Sequence, residues 1–297
     1  MNARAAWAIV PMALAVQAQP PRDPHLFRSR VDLTSITATV TDRDGHLMPD
    51  LPREAFEVYE DGVRQTITQF THDRVPVGLG VLLDISDSMY GTRIADARAA
   101  VDRFLFDLLD PADEFFLVAF NHRPRTLTGW TRERDQIRHA LEMLRPSGGT
   151  AIYDAIVAAL PTLGLRTRAR AALLVISDGA DNSSDTTLRE LRAALSRSDV
   201  FVYAIAIDAS DPRAINTRLS ADTLREITNE TGGRTEIVRS SADLGTATGR
   251  IAEELNRQYV IGYTSPKGAD GQYHSIRVRV GGGDYRVRAR NGYVATQ

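Results

Sequence analysis

Asp84, Ser86 and Ser88 occupy alternate positions at the end of Val77 to Met89, Val-Gly-Leu-Gly-Val-Leu-Leu-Asp-Ile-Ser-Asp-Ser-Met. Alternate side chains of an extended segment share a side, so a carboxylate and two hydroxyls can converge on one point. Hard oxygen donors of this kind suit Mg²⁺, Mn²⁺ or Ca²⁺ and serve copper or thiophilic zinc poorly. The same residues also read as a polar loop whose serines cap a helix from Gly91 onward. What separates the two readings is whether more oxygen donors reach the same place. Gly148-Gly149-Thr150, just ahead of a helical stretch, and Ser177-Asp178-Gly179, at the end of an apolar run, both offer them.

The elements that must position these residues alternate along the chain. Val77 to Leu83 is mostly apolar and reads as a strand buried on both faces of a parallel sheet. Phe115 to Phe120, Ala171 to Ile176 and Val200 to Ile207 have the same texture, with shorter strands expected at 125–127 and 235–238. Helical spacing fills the intervals at 94–109, 132–144, 151–160 (with Pro161 just beyond), 188–195, 222–231 and 244–256. Strands separated by helices of this length predict an α/β fold with a doubly wound, mostly parallel sheet. Such sheets bind ligands beyond the carboxyl ends of their strands, where Asp84, Ser86, Ser88 and Asp178 all fall. Thr150, at a helix start, belongs to the same edge. Five oxygen donors from three loops are much harder to explain as helix caps than any one of them.

The flanks are β in character. Val31 to Thr41 reads as a strand, and Phe56 to Glu60 and Arg64 to Phe70 flank the hairpin turn Asp61-Gly62. Tyr259 to Thr264, Tyr273 to Val280 and Asp284 to Arg290 are strands at the other end, the last two joined across Gly281-Gly282-Gly283. Neither flank has enough strands to bury a core alone, and the ends of a wound α/β domain commonly lie close together. Segments 31–75 and 257–297 are therefore expected to form one small antiparallel β-sandwich, with the domain 76–256 inserted between them. Leu33, Phe56, Val58, Ile67, Ile261, Ile276 and Val278 are its expected core. Arg277 and Arg279, with Arg286, Arg288 and Arg290, alternate with apolar residues. That row reads as a solvated, edge-protecting face, with a surface for an acidic partner as the alternative.

The chain of 297 residues is 43% hydrophobic and 25% charged, ordinary for a globular protein, and its net charge of -2 gives no reason to expect a nucleic acid partner. Cysteine is absent, which excludes disulfides, thiolate metal sites, thiol nucleophiles and a lipoprotein anchor. Residues 2–4 carry one positive charge, 5–16 are mostly apolar, and small residues stand at Val16 and Ala18. This pattern predicts a signal peptide at 1–18, followed by a Pro- and Arg-rich linker at 19–30. An uncleaved anchor or a buried first helix is the rival. On this reading the mature protein is exported, periplasmic or extracellular, and touches the membrane only through its signal peptide.

Asp84-x-Ser86-x-Ser88, Gly148-Gly149-Thr150 and Ser177-Asp178-Gly179, in that order and on those elements, resemble the metal-ion-dependent adhesion site of a von Willebrand factor type A (VWFA) domain. The resemblance covers roughly Pro76 to Asn256. Phe56 to Gly62, Tyr259-x-Ile261-Gly262-Tyr263 and Arg288-x-Arg290-x-Gly292-Tyr293 resemble the flanks of an exported bacterial VWFA-related group found widely in Acidobacteria. The resemblance implies that Ser86, Ser88 and Thr150 ligate a divalent cation by their hydroxyls, and that Asp84 and Asp178 act directly or through water. It implies a protein or peptide partner whose Asp or Glu carboxylate completes the shell, as in adhesion. Asp87 departs from the pattern, standing where many relatives have Gly. Asp154, one turn after Thr150, reads either as support for the shell or as helix-start electrostatics.

An enzyme is the weaker expectation. Asn121-His122 follows a strand at the same edge, but no Ser-His-Asp set, Gly-rich phosphate loop or His cluster has usable spacing. A binding module is the reading adopted. A metal-independent envelope scaffold and a metal-assisted hydrolase are its alternatives. N-terminal sequencing of the exported protein is expected to begin near Gln19; recovery of intact Met1 would reject cleavage.

Overall fold

The computed structural model describes residues 33–178, 180–207 and 217–296, with backbone alone at 217–220. The expected signal peptide and linker lie outside the described residues. In chain order the first strands are β1 (Leu33–Thr41), β2 (Phe56–Glu60), β3 (Val63–Gln65) and β4 (Ile67–Thr71). The central part runs β5 (Val77–Asp84), α1 (Thr92–Arg103), β6 (Glu114–Phe120), β7 (Pro124–Thr131), α2 (Arg134–Glu142), α3 (Ile152–Gly164) and β8 (Arg170–Ser177). It continues with α4 (Leu188–Ser196), β9 (Phe201–Ile207), α5 (Thr217–Thr231), β10 (Thr235–Val238) and α6 (Ser241–Asn256). The last strands are β11 (Tyr259–Thr264), β12 (Tyr273–Val280), β13 (Arg286–Ala289) and β14 (Gly292–Val294).

The central sheet has the order β10-β9-β8-β5-β6-β7 and is parallel except for β7, which runs antiparallel to β6. Every residue of β5, β6 and β8 is buried, which is why these strands are continuous apolar runs rather than alternating ones. Leu79, Val81 and Leu83 pack into one core with Val101 of α1 and Ile251 of α6. Leu82 and Leu173 face the other side, with Ile156 of α3 and Leu191 of α4. The fold is a doubly wound, mostly parallel α/β sheet flanked by antiparallel sheets.

Local departures have identifiable causes. The helix expected at 94–109 ends as α-helix at Arg103 and continues as a π-helical turn, Phe104–Leu108, that places Phe104 and Leu105 in the core. α3 runs through Pro161 instead of stopping before it. That leaves the Val157 carbonyl without its intrahelical donor, near the helix end where the loss matters least. The edge strand β7 is longer than expected, because the whole of it pairs with β6.

The flanking strands form two four-stranded sheets, β13-β1-β11-β4 and β14-β12-β2-β3, and each draws on both ends of the chain. They share one core that includes Ile36, Val58, Ile67, Tyr259, Ile261 and Ile276. Leu33, expected in that core, is 41% exposed. Ile36, Ala38 and Val40 set the inward phase of β1, and an odd-numbered position falls on the opposite face. The hairpin turn has positive φ at both Asp61 and Gly62, the geometry that matches strand twist. Its second strand, expected at 64–70, divides at Thr66: β3 stays with β2, whereas β4 crosses to β11. β12 and β13, consecutive across three glycines, likewise part to different sheets.

The sandwich is fastened to the amino-terminal side of the central sheet by a buried polar network. The Glu254 carboxylate, 1% exposed, accepts from Tyr203 Oη at 2.9 Å and from Thr39 Oγ1 at 3.2 Å, and it pairs with Arg288 of β13. Gln258 Nε2 donates to Tyr203 Oη at 2.8 Å, and Arg170, which also bonds Gln258, donates to the Val75 and Leu255 carbonyls. Removing one member of such a network leaves a charge buried without its partner. Glu254→Ala is therefore expected to destabilise the protein by about 3–5 kcal/mol in urea unfolding. A loss within the scatter of surface substitutions would show that the network is not what joins the two parts.

Candidate functional site

The end of β5 is built around one carboxylate. Asp84 is fully buried, and its Oδ1 accepts from the Ser86 amide at 2.7 Å while Oδ2 accepts from Ser177 Oγ at 2.6 Å. The Ile85 amide donates to the Phe120 carbonyl at 2.7 Å, which carries the β5–β6 ladder one residue further before the loop turns. Ser86 Oγ lies 3.0 Å from Ser88 Oγ, and Ser88 Oγ donates to Asp178 Oδ1 at 2.6 Å. Four of the five expected residues thus form one hydrogen-bonded chain, Asp84–Ser86–Ser88–Asp178. It bridges the carboxyl ends of the neighbouring strands β5 and β8, where the strand order of the sheet reverses.

Thr150 is brought to the same edge by backbone contacts. The Ser147 amide donates to the Ile85 carbonyl at 2.8 Å, and the Asp87 amide donates to the Gly148 carbonyl at 2.9 Å. Thr150 is buried, and its amide and carbonyl are both bonded to Asn182, the amide through Asn182 Oδ1 at 2.9 Å. Gly148 has φ of +79°, and a Cβ there would lie 2.7 Å from His122 Nδ1. At Gly149 a Cβ would strike Asn182 and Ser183, so both glycines are required by the loop. The Thr150 hydroxyl makes no hydrogen bond among the described residues, and none links it to the four-residue chain.

The structure adds groups that the sequence did not single out as site residues. Arg93, on the first turn of α1, donates from Nη1 to Asp178 Oδ2 at 2.9 Å and to the Ser88 carbonyl at 2.6 Å. Ser177 holds Asp84, and Asn182 holds Thr150. Asp154, for which two roles were open, accepts the amides of Asp185 and Thr186 at 3.0 and 2.9 Å, so it braces the loop after β8. His122 is exposed, and its ring makes no hydrogen bond among the described residues. Asp87 is exposed at the rim of the site. Away from this edge, Asp42, Asp44 and His46 lie close together on an exposed turn. There Asp42 Oδ1 accepts the amides of Asp44 and His46, which accounts for the cluster as a turn.

The two carboxylates meet different fates. Burial pushes Asp84 up to about 6, only partly opposed by its bonds to Ser177 and Ser86, and the charge of Asp178 pushes the same way. Asp178 has the Arg93 guanidinium beside it. Two carboxylates and neutral hydroxyls, one carboxylate buried with no cation of its own, form a donor set that fits a hard divalent ion.

Comparison with known proteins agrees with this architecture. Residues 79–180 match the family model described as von Willebrand factor type A domain, and the fold is of that type. Inter-alpha-trypsin inhibitor heavy chain H2 of Mesocricetus auratus is 24% identical over 277 residues, which cover 86% of this chain and 28% of that protein. The human heavy chain H2 is 29% identical over 143 residues, 43% of this chain and 14% of its own length. The chain therefore spans little more than a quarter of the hamster relative at most. Among solved structures, a von Willebrand factor type A protein from Catenulispora acidiphila superposes with a TM-score of 0.53 at 16% identity, covering 82% of this chain and 74% of that one. The vWF domain of the type V pili tip protein Mfa5 from Porphyromonas gingivalis gives 0.51 at 15% identity, covering 62% and 96%. At these identities the structures speak to the fold alone.

The raised Asp84 value has a consequence for stability. Its ordinary value is 3.8, so between 3.8 and about 6 the folded protein holds a proton that the unfolded chain has released. Stability contributed by this group is therefore complete below that window and falls as pH rises through it. In EDTA at about pH 7.5, Asp84→Asn is expected to be more stable than wild type by about 1–3 kcal/mol, the gain vanishing below about pH 4. Urea unfolding across this range checks it, and a variant with no gain at the higher pH would show that Asp84 is not held at a cost.

Proposed function

We propose that this chain is an exported, metal-dependent protein-binding module in which Asp84, Ser86, Ser88, Thr150 and Asp178 form a metal-ion-dependent adhesion site. What carries the reading is the continuous hydrogen-bonded chain from Asp84 to Asp178 at the carboxyl edge of the sheet, with Thr150 delivered to that edge by its own loop. Mg²⁺, Mn²⁺ or Ca²⁺ held mostly by neutral hydroxyls stays electrophilic and attracts a carboxylate from a partner protein or peptide. The chain's own contribution is preorganisation. Ser177 and the Ser86 amide fix both oxygens of Asp84, and the contact between Ser86 and Ser88 aligns the two hydroxyls. Asp87 sets an extra negative charge at the rim, which favours a cation and disfavours an anionic partner.

Export and kinship to the secreted bacterial VWFA-related group are part of the same proposal, resting on the N-terminal pattern and the flanking motifs. No helix among the described residues is long and apolar enough to cross a membrane. One observation favours a metal-independent scaffold as the second reading: Arg93 already supplies Asp178 with a positive charge.

Titration calorimetry with Mg²⁺ and Mn²⁺ decides between them. Asp84→Ala is expected to weaken metal binding at least about tenfold, since it removes a formal charge facing a dication. Asp87→Gly should shift the affinity less, and circular dichroism should show both variants folded. Binding of a tripeptide carrying a single Asp side chain, too short to lie along a strand edge, should disappear in EDTA. Equal Mg²⁺ affinity in wild type and Asp84→Ala would leave the scaffold reading.

A further inference from the structure

The arginines of the last strands have no part in that site. β12 pairs with β2 from Ile276 to Val280, but on its other side β14 covers only Tyr273 to Ser275. The Ile276 amide donates to the Asn291 carbonyl on that other side, while the Gly281 amide donates to the Ala55 carbonyl on the β2 side, each at 2.8 Å. Alternation of the backbone therefore turns the amides of Val278 and Val280 away from β2, onto an edge that no described strand pairs. β13, the strand across from it, belongs to the other sheet and pairs with β1.

Beside this edge lies a groove of about 630 Å³, a size typical of binding sites. Val278, Val287 and Ala289 give it an apolar lining, and Arg277, Arg279 and Arg290 bring positive charge to it. Among the described residues none of these three arginines pairs with a carboxylate, in contrast to Arg64 with Glu57 and Arg288 with Glu254 close by. Arg279 instead lies over the Tyr59 ring, with its guanidinium carbon 5.3 Å from the ring centre, and Arg290 lies over Tyr293 at 5.2 Å. A charged edge strand guards against unwanted pairing; uncompensated charge of one sign also selects a partner of the other.

We propose that this groove is a second binding site, for an extended acidic polypeptide segment that adds its backbone to the free edge of β12. Arg277 and Arg279 stand two residues apart, the repeat at which carboxylates line one face of a strand. A second copy of the chain pairing edge to edge would set the same arginines against one another. The segment 19–30 is excluded on the same ground, since it carries Arg22, Arg28 and Arg30 against a single acid, Asp23. The site belongs to the sandwich and uses none of the residues assigned to the metal.

Fluorescence anisotropy with the full chain and a labelled peptide alternating Glu and Val tests it. The peptide is expected to bind, and its counterpart with Gln for Glu should bind at least about tenfold more weakly. Arg277→Gln/Arg279→Gln should weaken binding to a similar degree. Val278→Pro removes an amide that faces the groove and not β2, so it should also weaken binding while the protein's circular dichroism stays unchanged. EDTA and Asp84→Ala should leave peptide binding intact, which separates this site from the metal-dependent one. Equal binding of the two peptides, binding abolished by EDTA, or tighter binding of oligothymidylate than of the acidic peptide would overturn the proposal. If Val278→Pro is folded and binds normally, docking on the strand edge is wrong.

Discussion

A carboxylate buried at the end of the central strand is the constraint around which the site forms. A charge in such a place must be hydrogen-bonded, paired or neutralised. Asp84 accepts Ser177 from the adjacent strand β8 and the amide of Ser86 from its own loop, so satisfying it fixes the loop and ties β5 to β8. The positions of Ser86 and Ser88 follow from that turn, and Ser88 then meets Asp178. Asp178 has a salt bridge to Arg93, whereas Asp84 has none and is driven toward protonation. The edge therefore holds a buried carboxylate whose charge no side-chain cation offsets, which is the demand the proposed metal would meet.

The molecule keeps its two polar centres apart. The oxygen-rich site lies at the carboxyl ends of the strands, beyond the sheet, where loop residues bear on binding more than on folding. The amino-terminal side is taken by Glu254, Tyr203, Gln258, Arg170 and Arg288, which join the sheet, α6 and the sandwich. Such a network holds only when each member is satisfied, so it fixes one arrangement of the two parts. It also explains why the two ends of the chain serve a single sandwich. The α/β domain returns its chain close to where it started, and β1 then pairs directly with β11 and β13.

The sandwich closes incompletely. Within its own sheet the short β14 covers only the start of β12, which keeps a free edge beyond Ile276. The arginines there protect the edge against neutral strands and, being uncompensated, leave it open to acidic ones. One arrangement of charge serves both purposes, and the apolar lining of the groove gives an extended segment something to bury.

The sequence by itself determined the periods, and with them the fold class. Fully buried parallel strands must be apolar throughout, and Val77 to Leu83 and Ala171 to Ile176 are; a hairpin turn needs positive φ, and Asp61-Gly62 supplies it. The residue types at 84, 86, 88, 150 and 178 were equally legible, because strand ends and helix starts in a wound sheet share an edge. Only the tertiary structure decided what those residues touch. Arg93 meets Asp178 across 85 positions of chain, Ser177 meets Asp84 across 93, and Asn182 meets Thr150 across 32, separations at which local pattern carries no signal. The inward phase of β1, the crossing at Thr66 and the parting of β12 from β13 were likewise set by the partner each strand found. Side-chain period marks a strand, but the choice of neighbour is settled by which faces and edges remain to be covered.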